Sequence, residues 1–594
     1  MPDNTIPPGA GGNAGTAAVT TGQTSTAGAA ATSSAQPTFY LGLCMAGAVS
    51  AGAYTAGVMD YLLEALEEWE KRRGNVNVPS HRVEMPVIGG ASAGGMTGLI
   101  TGAALQQGNT HIQAAPADAL EKEHPENVLY HTWVDLTGVD MFPKMLDNSD
   151  IVPGQVVSAL NSAFIDDIAA RVLTPSPGSQ PQWRPLPDFF PPRLKIFTTL
   201  SNLQGFLYDV NFKSAGAGQR RPYYMQIHND YACFELTNDG KAGPDAGWIP
   251  LSVSKQVNAD TARDAAMATG AFPVGLKSRK VIRDAAFVNA NPLQTDCARL
   301  EPTPAGAYPA LNVDGGMINN EPFDKVREVL NKISGVDDPK VYQDYKQFNS
   351  TVLMIAPFPS SKPAAIEQDQ GLFNVIGLTL ASMMSQMRAK PAHLVDAMDD
   401  NCAGQYLIAP SRRVPDGKGG EADFQGERAI ACGALGGFSG FMNKEFRVHD
   451  YFLGRYNCQV FLRDYFTIPA EAVDANPIFR AGYAGVDRSQ FKSTVDGSIQ
   501  IIPVFFPAGQ PAFPVYHFTS GTSWPVQDWK NFSRFEGPLR DRIQAVLLNT
   551  KKLSGLNRGL LWAGSRLLLR RMLSDAVLDT IKKELTTWGL VKGG

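Results

Sequence analysis

The residues from Met85 to Gly98, Met-Pro-Val-Ile-Gly-Gly-Ala-Ser-Ala-Gly-Gly-Met-Thr-Gly, restrict this chain more than any other stretch. Val87 and Ile88 close a short apolar strand, a run of small residues follows, and from Met96 to Gln107 the pattern is helical. Among the small residues lies Gly90-x-Ser92-x-Gly94, a strand-to-helix turn that sets a serine on a sharp, strained corner. Glycines are needed on both sides, because a Cβ there would strike the neighbouring strand or helix. The serine stands at a helix N-terminus, where unpaired N–H groups and the helix dipole favour negative charge. Such a serine is either a nucleophile or merely the N-cap of a glycine-rich turn.

The same plan occurs once before. Phe39–Met45 reads as a strand, and Ala46-Gly-Ala-Val-Ser-Ala-Gly-Ala-Tyr-Thr-Ala-Gly57 as a glycine-rich turn. A helix follows, with Met59, Leu62, Leu63, Leu66 and Trp69 at helical spacing and Glu64, Glu67 and Glu68 on the other side. Successive strand-turn-helix units argue for an α/β fold, a largely parallel sheet covered by helices. Ligands of such sheets gather at the carboxyl ends of the strands, where both turns lie. Leu194–Leu200, Tyr223–Ile227, Ala232–Leu236 and Thr351–Ile355 are further strand candidates, and Leu311–Met317 places Asp314 at a strand end before two glycines. Asn127 to Leu173 reads as helical and amphipathic, and Asp264–Val274 has small residues suited to close helix packing.

Residues 1–36 are almost entirely Gly, Ala, Thr, Ser and Pro. Burial there cannot offset the entropy of ordering, so a disordered tail is expected. In the rest of the 594 residues, a hydrophobic content of 44% allows a large core. A net charge of −4 gives no electrostatic case for nucleic acid. No run reaches the roughly 18 to 20 apolar residues of a membrane span. The N-terminus has neither a basic n-region nor an apolar h-region, so no Sec signal is expected. Cys44, Cys233, Cys297, Cys402, Cys432 and Cys458 form no CxxC pair, which points to no metal site and to a reducing, cytoplasmic setting. Leu372–Met387 is a Met-rich apolar helix candidate, either a lid or core, and Asp416–Gly420 a loop. Lys551–Val591 sets Arg558, Arg566, Arg570, Arg571, Lys582 and Lys583 among leucines, as an interfacial helix on anionic lipid or as a core-packed one.

In order, the Gly47 turn, Gly90-Ala-Ser-Ala-Gly94 and Asp314-Gly-Gly316 resemble the signature of the patatin-like phospholipases. The flanks Gly52-Ala-Tyr-Thr-Ala-Gly-Val58, Ala268-Thr-Gly-Ala-Phe-Pro273 and Asn319-Asn-Glu-Pro322 fit as well. Leu129-Tyr-His-Thr-Trp133, Leu200-Ser-Asn-Leu-Gln-Gly205 and His449-Asp-Tyr-Phe-Leu-Gly-Arg-Tyr-Asn-Cys458 are similar to a long bacterial branch, so the resemblance covers residues 39 to 465. It implies a three-layer fold, with a mostly parallel central sheet between helices. The catalytic domain would span 37–360, and a mainly helical region over 361–594 would pack on it. It also implies a carboxylic ester hydrolase of phospholipase A or lysophospholipase type, acting on lipid or phospholipid without a cofactor and meeting membranes peripherally. Ser92 would be the nucleophile and Asp314 its lone base. Gly47, Ala48, Val49 and Ala93 would supply the oxyanion-hole amides, and Gly52, Gly90, Gly94, Gly315 and Gly316 would be the motif glycines.

One departure stands out. The family loop usually reads Gly-Gly-Gly-x-Arg/Lys-Gly, whereas here Gly47-Ala-Val-Ser-Ala-Gly52 puts Ala51 in the place of the basic residue. Asp314 also has a plainer reading, since Asp-Gly is a common turn dipeptide. Chain order further permits an α/β-hydrolase-type Ser-Asp-His triad with His393, His449 or His517. The third reading is a catalytically silent scaffold that binds lipid or protein.

Overall fold

A strand covered on both faces has no need to alternate polar and apolar residues. The run Thr-Phe-Tyr-Leu-Gly-Leu-Cys-Met is such a strand, β1 (Thr38–Met45), inside the central sheet. The computed structural model describes residues 36–116, 118–135, 138, 141–175, 183–210, 223–294, 304–359, 403–415, 418–505, 524–550 and 570–592. From Pro37 onward these form a single unit. The other strands of the main sheet are β2 (Arg82–Gly90), β3 (Leu194–Val210), β4 (Tyr223–Leu236), β5 (Ile249–Leu251), β6 (Arg279–Asp284), β7 (Ala307–Asp314), β8 (Ser350–Ile355) and β9 (Gln405–Ile408). Their order is β5-β4-β3-β2-β1-β8-β9, with β7 paired to both β3 and β6.

Pairing is parallel between β1 and β2, β1 and β8, β2 and β3, β8 and β9, and β4 and β5. The antiparallel strands cluster beside β3, which pairs with β4 along most of its length. Beside β2, β3 runs as far as the pair Gly90↔Thr198. Past that point it takes a new neighbour, β7, through Leu200↔Asp314 and Asn202↔Asn312. This change of partner brings the end of β7 to the edge where β2 stops.

Adjacent residues in the strands point to opposite faces. Cys44, Val87, Phe197 and Val352 pack on Val326, Val329 and Leu330 of the helix Phe323–Ser334. Their neighbours Leu43, Ile88, Ile196 and Leu353 face the larger core. There lie α1 (Gly52–Arg72), α2 (Ala93–Gln107) and the long helix Lys444–Asp464. The chain is thus three-layered, a mostly parallel sheet between helices, and it carries a further helical region towards its C-terminus.

The helix Lys444–Asp464 lies almost backbone to backbone on α1. A Cβ on Gly57 would overlap the Tyr451 carbonyl oxygen, and one on Gly454 the Tyr54 carbonyl oxygen. A buried ionic group joins the same two helices: Asp60 is paired with Arg455, and it accepts from His111 Nδ1 at 2.7 Å and Asn127 Nδ2 at 2.9 Å.

One expectation needs correction. Asn127 to Leu173 is not one amphipathic helix. It is a short turn at Val128–Tyr130, a wide π-type turn at His131–Asp135, a helix at Met141–Leu146 and another at Ala163–Leu173. Gly138 and Gly154, both at positive φ, and Pro153 break the run. The helix Arg570–Thr587 packs on the protein, while residues 551–569, which carry most of the leucines of the segment read as interfacial or core-packed, lie outside the described residues. Ile581, Leu585 and Leu590 are buried, Arg428 stacks over Trp588, and Val591–Lys592 pairs with Gln527–Asp528. Leu372–Met387, His393, His517, Arg558, Arg566 and the tail 1–35 lie outside the described residues. Among the described residues, no helix is long and apolar enough to cross a membrane.

Candidate active site

The turn between β2 and α2 is closed by contact distances that leave no room for side chains. A Cβ on Gly90 would sit 2.6 Å from the Gly94 carbonyl carbon, and one on Gly94 would overlap the Met45 carbonyl oxygen. Between them Ser92 is driven to φ 51°, ψ −128°, a conformation that a residue with a Cβ rarely adopts. Its side chain makes no N-cap bond to α2. Instead Ser92 Oγ donates to Asp314 Oδ2 at 2.7 Å.

Asp314 ends β7 and is fixed at every polar atom. Its N–H donates to Ala271 O at 2.9 Å, and its carbonyl accepts from Ser201 Oγ at 2.7 Å. Its Oδ1 accepts from the Gly316 amide at 2.8 Å. Gly315 has no room for a Cβ against Thr199, nor has Gly316 against Asn320, 2.6 Å away. Burial disfavours the charged carboxylate and pushes its pKa up to about 6, against the opposing pull of the Ser92 hydroxyl and the Gly316 amide. No histidine joins this pair among the described residues. His449 lies against its own neighbour, with Nδ1 2.7 Å from Asp450 Oδ1 and its ring edge-on to Trp524.

The first glycine-rich turn packs on the same corner. A Cβ on Gly47 would lie 3.0 Å from Ser92 Cβ. The Gly47 N–H already donates to Asn320 O at 3.3 Å, which removes it from the set of amides expected to be free. Among the described residues no acceptor takes the N–H groups of Ala48, Val49 or Ala93. Val49 is itself held at φ 49°, a strained setting for a β-branched residue. Gly52, against the Trp133 ring, begins α1. Ala51 is fully buried, so a basic side chain has no solvent to reach at that position. The loop is anchored by Ser50, which donates to Gly437 O and accepts from Gly440 N at 3.1 Å.

Ser92 and Asp314 share the wall of an open pocket, about 800 Å³ of empty space with the solvent at its mouth included. Trp133, Phe164, Ile168, Val172, Phe272 and Phe441 supply much of the remaining wall. The hydrophilic side chains of the lining are Ser92, Asp314 and Thr132, with the Trp133 indole beside them. Such a space suits an alkyl chain whose polar end lies at the serine. No group of three or more His, Cys, Asp or Glu side chains among the described residues could hold a metal ion.

Three supporting residues went unnoticed in the sequence. Thr269 Oγ1 accepts from the Ser92 amide at 2.9 Å, Ser201 holds the Asp314 carbonyl, and Asn320 backs both Gly47 and Gly316. Each lies within or beside a flank that fits the family pattern. Their residue types carry no signal alone, since a lone Thr, Ser or Asn is more often a turn residue.

A model of the patatin-like phospholipase family matches residues 43–327, which include the Gly47 turn, Ser92 and Asp314. An uncharacterized protein of Sinorhizobium fredii, y4iI, is 33% identical over 494 residues, 75% of this chain and 67% of that protein. The crystal structure of VipD from Legionella pneumophila aligns over 93% of this chain and 87% of that one. Its 12% identity and TM-score of 0.19 are too low for the likeness to bear on the fold. With the family match spanning all three motifs and the sheet in place, the chain belongs to the patatin-like phospholipases, a family of lipid hydrolases.

Proposed function

We propose that the protein is a serine acyl hydrolase that cleaves lipid esters, with Ser92 as nucleophile and Asp314 as general base. The observation that carries this reading is the 2.7 Å hydrogen bond from Ser92 Oγ to Asp314 Oδ2 in the wall of an apolar pocket. A serine hydroxyl attacks only when a base takes its proton, and here the base is already in contact. As Oγ adds to the ester carbonyl, Asp314 accepts the proton and the carbonyl oxygen becomes an oxyanion. The unpaired amides of Ala48, Val49 and Ala93 are the donors for that charge, and they need no reorganisation to act. The proton then passes from Asp314 to the departing alkoxide, leaving an acyl-Ser92 ester. Water, giving its proton to Asp314, attacks that ester and releases the fatty acid and the free serine.

The carboxylate's raised pKa suits this work, since a base poised near the operating pH abstracts a proton more readily than an ordinary aspartate does. The alkyl chain of the acyl group occupies the cavity. We assign catalysis to the unit over 37–360. The region from 361 onward holds the oxyanion loop through Ser50 and adds Phe441 to the cavity wall. A silent scaffold would have no use for the strain at Ser92, a cost of roughly 1–3 kcal/mol.

The test is a fluorophosphonate probe with lipidomic profiling against mixed phospholipid bilayers. Labelling at Ser92, and release of fatty acid that Ser92→Ala abolishes, are expected. A folded protein that neither labels nor releases fatty acid would overturn the reading.

A further inference from the structure

Two loops meet beside the cavity. One is Phe272-Pro-Val-Gly-Leu276, whose end residues line the cavity while Val274 between them is 82% exposed. The other runs from Asp147 to Leu160 and leads into Phe164 and Ile168 of the cavity wall. Ala159 N donates to Val274 O at 2.7 Å, and Leu160 N to Gly275 O at 3.0 Å, so the loops move as one. The second loop presents Val152, 54% exposed, and Val157, 51% exposed.

Neither loop is loose. Val274 is held at φ 66°, which a β-branched residue adopts only when its surroundings impose it. Glycine would fit there without strain, yet a large apolar side chain is kept in solvent. The second loop is fastened from beneath by the buried Arg542. That guanidinium donates to Ala159 O at 2.8 Å, Ser158 O at 3.1 Å and Asp147 O at 2.7 Å, and it pairs with Asp150. The edge carries charges of both signs: Asp147 on the second loop and Asp167 are exposed, as are two lysines. Those lysines, Lys277 and Lys280, have no carboxylate partner among the described residues. The nearby carboxylates of Asp150 and Asp166 are taken by Arg542 and Arg279.

A rigid apolar edge, continuous with an apolar pocket and carrying two lysines that have no carboxylate partner among the described residues, matches the chemistry of an anionic lipid surface. We propose that Val152, Val157 and Val274, with Lys277 and Lys280 beside them, form a lip that seats on anionic bilayers and passes acyl chains to the cavity. This rests on the lipid-hydrolase reading above. It places the membrane contact beside the cavity rather than on the helix Arg570–Thr587.

The full chain is tested on vesicles of phosphatidylcholine and phosphatidylglycerol in equal parts, by co-sedimentation and by fatty acid release. The double variant Val157→Ser/Val274→Gly should lose on the order of tenfold in both. Its turnover of a short soluble ester should match wild type, and its melting temperature should not fall, because glycine suits φ 66°. Lys277→Gln/Lys280→Gln should weaken binding and make it less sensitive to salt. Val274→Leu should retain binding. Unchanged vesicle binding in the folded valine variant, or no vesicle binding by wild type, overturns the lip. Wild type that binds vesicles in a valine-dependent way but hydrolyses neither substrate supports the lip while sinking the hydrolase.

Discussion

Ser50 Oγ and Gly440 N, 390 residues apart in the chain, share a buried hydrogen bond of 3.1 Å. The same hydroxyl donates to Gly437 O, so the oxyanion loop is tied to a segment outside the family match. A Cβ on Gly440 would fall 2.5 Å from Cys432 Sγ and also meet Ser50, so the segment reaches the loop only because it is glycine. With Ala51 in the loop, this chain holds it by a neutral clamp.

Ser50→Ala should therefore act through geometry. It removes one hydroxyl and leaves a buried carbonyl and amide unpaired, a loss of about 1–3 kcal/mol. With Ala48 and Val49 no longer fixed, kcat for a soluble ester should drop roughly 10- to 100-fold. KM should change little, since the cavity is untouched. A kcat equal to wild type in steady-state assays would show that the loop holds its shape without the clamp.

Asp314 gives a pH signature. In the proposed mechanism it must be ionised to act as base, so kcat/KM should rise with pH and level off above about 6, the value to which burial pushes it. Its effect on stability has the opposite sense. The folded state holds this proton more tightly than the unfolded chain, whose value is 3.8, so stability declines as pH rises from 3.8 to about 6 and is level beyond. Asp314→Asn keeps an acceptor for Gly316 and removes the buried charge. It should be inactive yet more stable at pH 8, by up to about 3 kcal/mol. Thermal melts of the two proteins at pH 4 and pH 8 decide this: a gain no larger at pH 8 than at pH 4 rules out the buried charge.

The sheet and the paired turns were legible because local pattern specifies them. β1 and β2 are apolar runs that end in small residues, and Gly90-x-Ser92-x-Gly94 carries its own steric logic. The meeting of Ser92 with Asp314 was expected only through family resemblance, because it depends on β3 changing partner from β2 to β7. The clamp at Ser50, the five bonds of Arg542 and the Gly57–Gly454 contact left no trace in the sequence. Each joins residues more than 380 apart, and periodicity speaks only for near neighbours. The run from Asn127 to Leu173 misled for the opposite reason: its apolar spacing looked continuous, while Gly138 and Gly154 at positive φ divide it.

Gly57 offers a direct test of packing. Its hydrogen faces the Tyr451 carbonyl, and a methyl group there meets main chain that no rotamer change can move aside. Gly57→Ala would raise helix propensity by about 1 kcal/mol in an isolated helix. In this protein it should instead destabilise by roughly 2–4 kcal/mol, as α1 and the helix Lys444–Asp464 are forced apart. A melting temperature at or above wild type would mean that the two helices can separate at little cost.

The last prediction concerns the buried ions on those same helices. Burial alone would raise the Asp60 pKa, but Arg455 and the hydrogen bonds from His111 and Asn127 outweigh it and hold the carboxyl at about 2. Burial would likewise lower His111, yet Asp60, and Glu67 at 3.4 Å, raise it to about 9. Each shift has its own pH window. The Asp60 contribution is present above 3.8 and is lost as pH falls towards 2. The His111 contribution is complete below 6.5 and is lost as pH rises through about 9. Because the two shifts describe one interaction, they are not added. Between pH 6.5 and about 8 Asp314 is already ionised and adds no slope, so the decline there belongs to His111; nearer 9 the thiols of Cys44, Cys233, Cys432 and Cys458, which burial pushes up, add a decline of their own. The His111 part should amount to at most about 3 kcal/mol. His111→Gln keeps a donor for Asp60 but cannot gain a proton, so it should be less stable than wild type at pH 6.5 and nearly equal to it at pH 9.5. Arg455→Met is the harsher change. It leaves Asp60 buried without its main partner and should cost about 3–5 kcal/mol at neutral pH. Denaturant melts between pH 6.5 and about 8 would settle the matter: a wild-type slope in that range that persists in His111→Gln would locate the titrating group elsewhere.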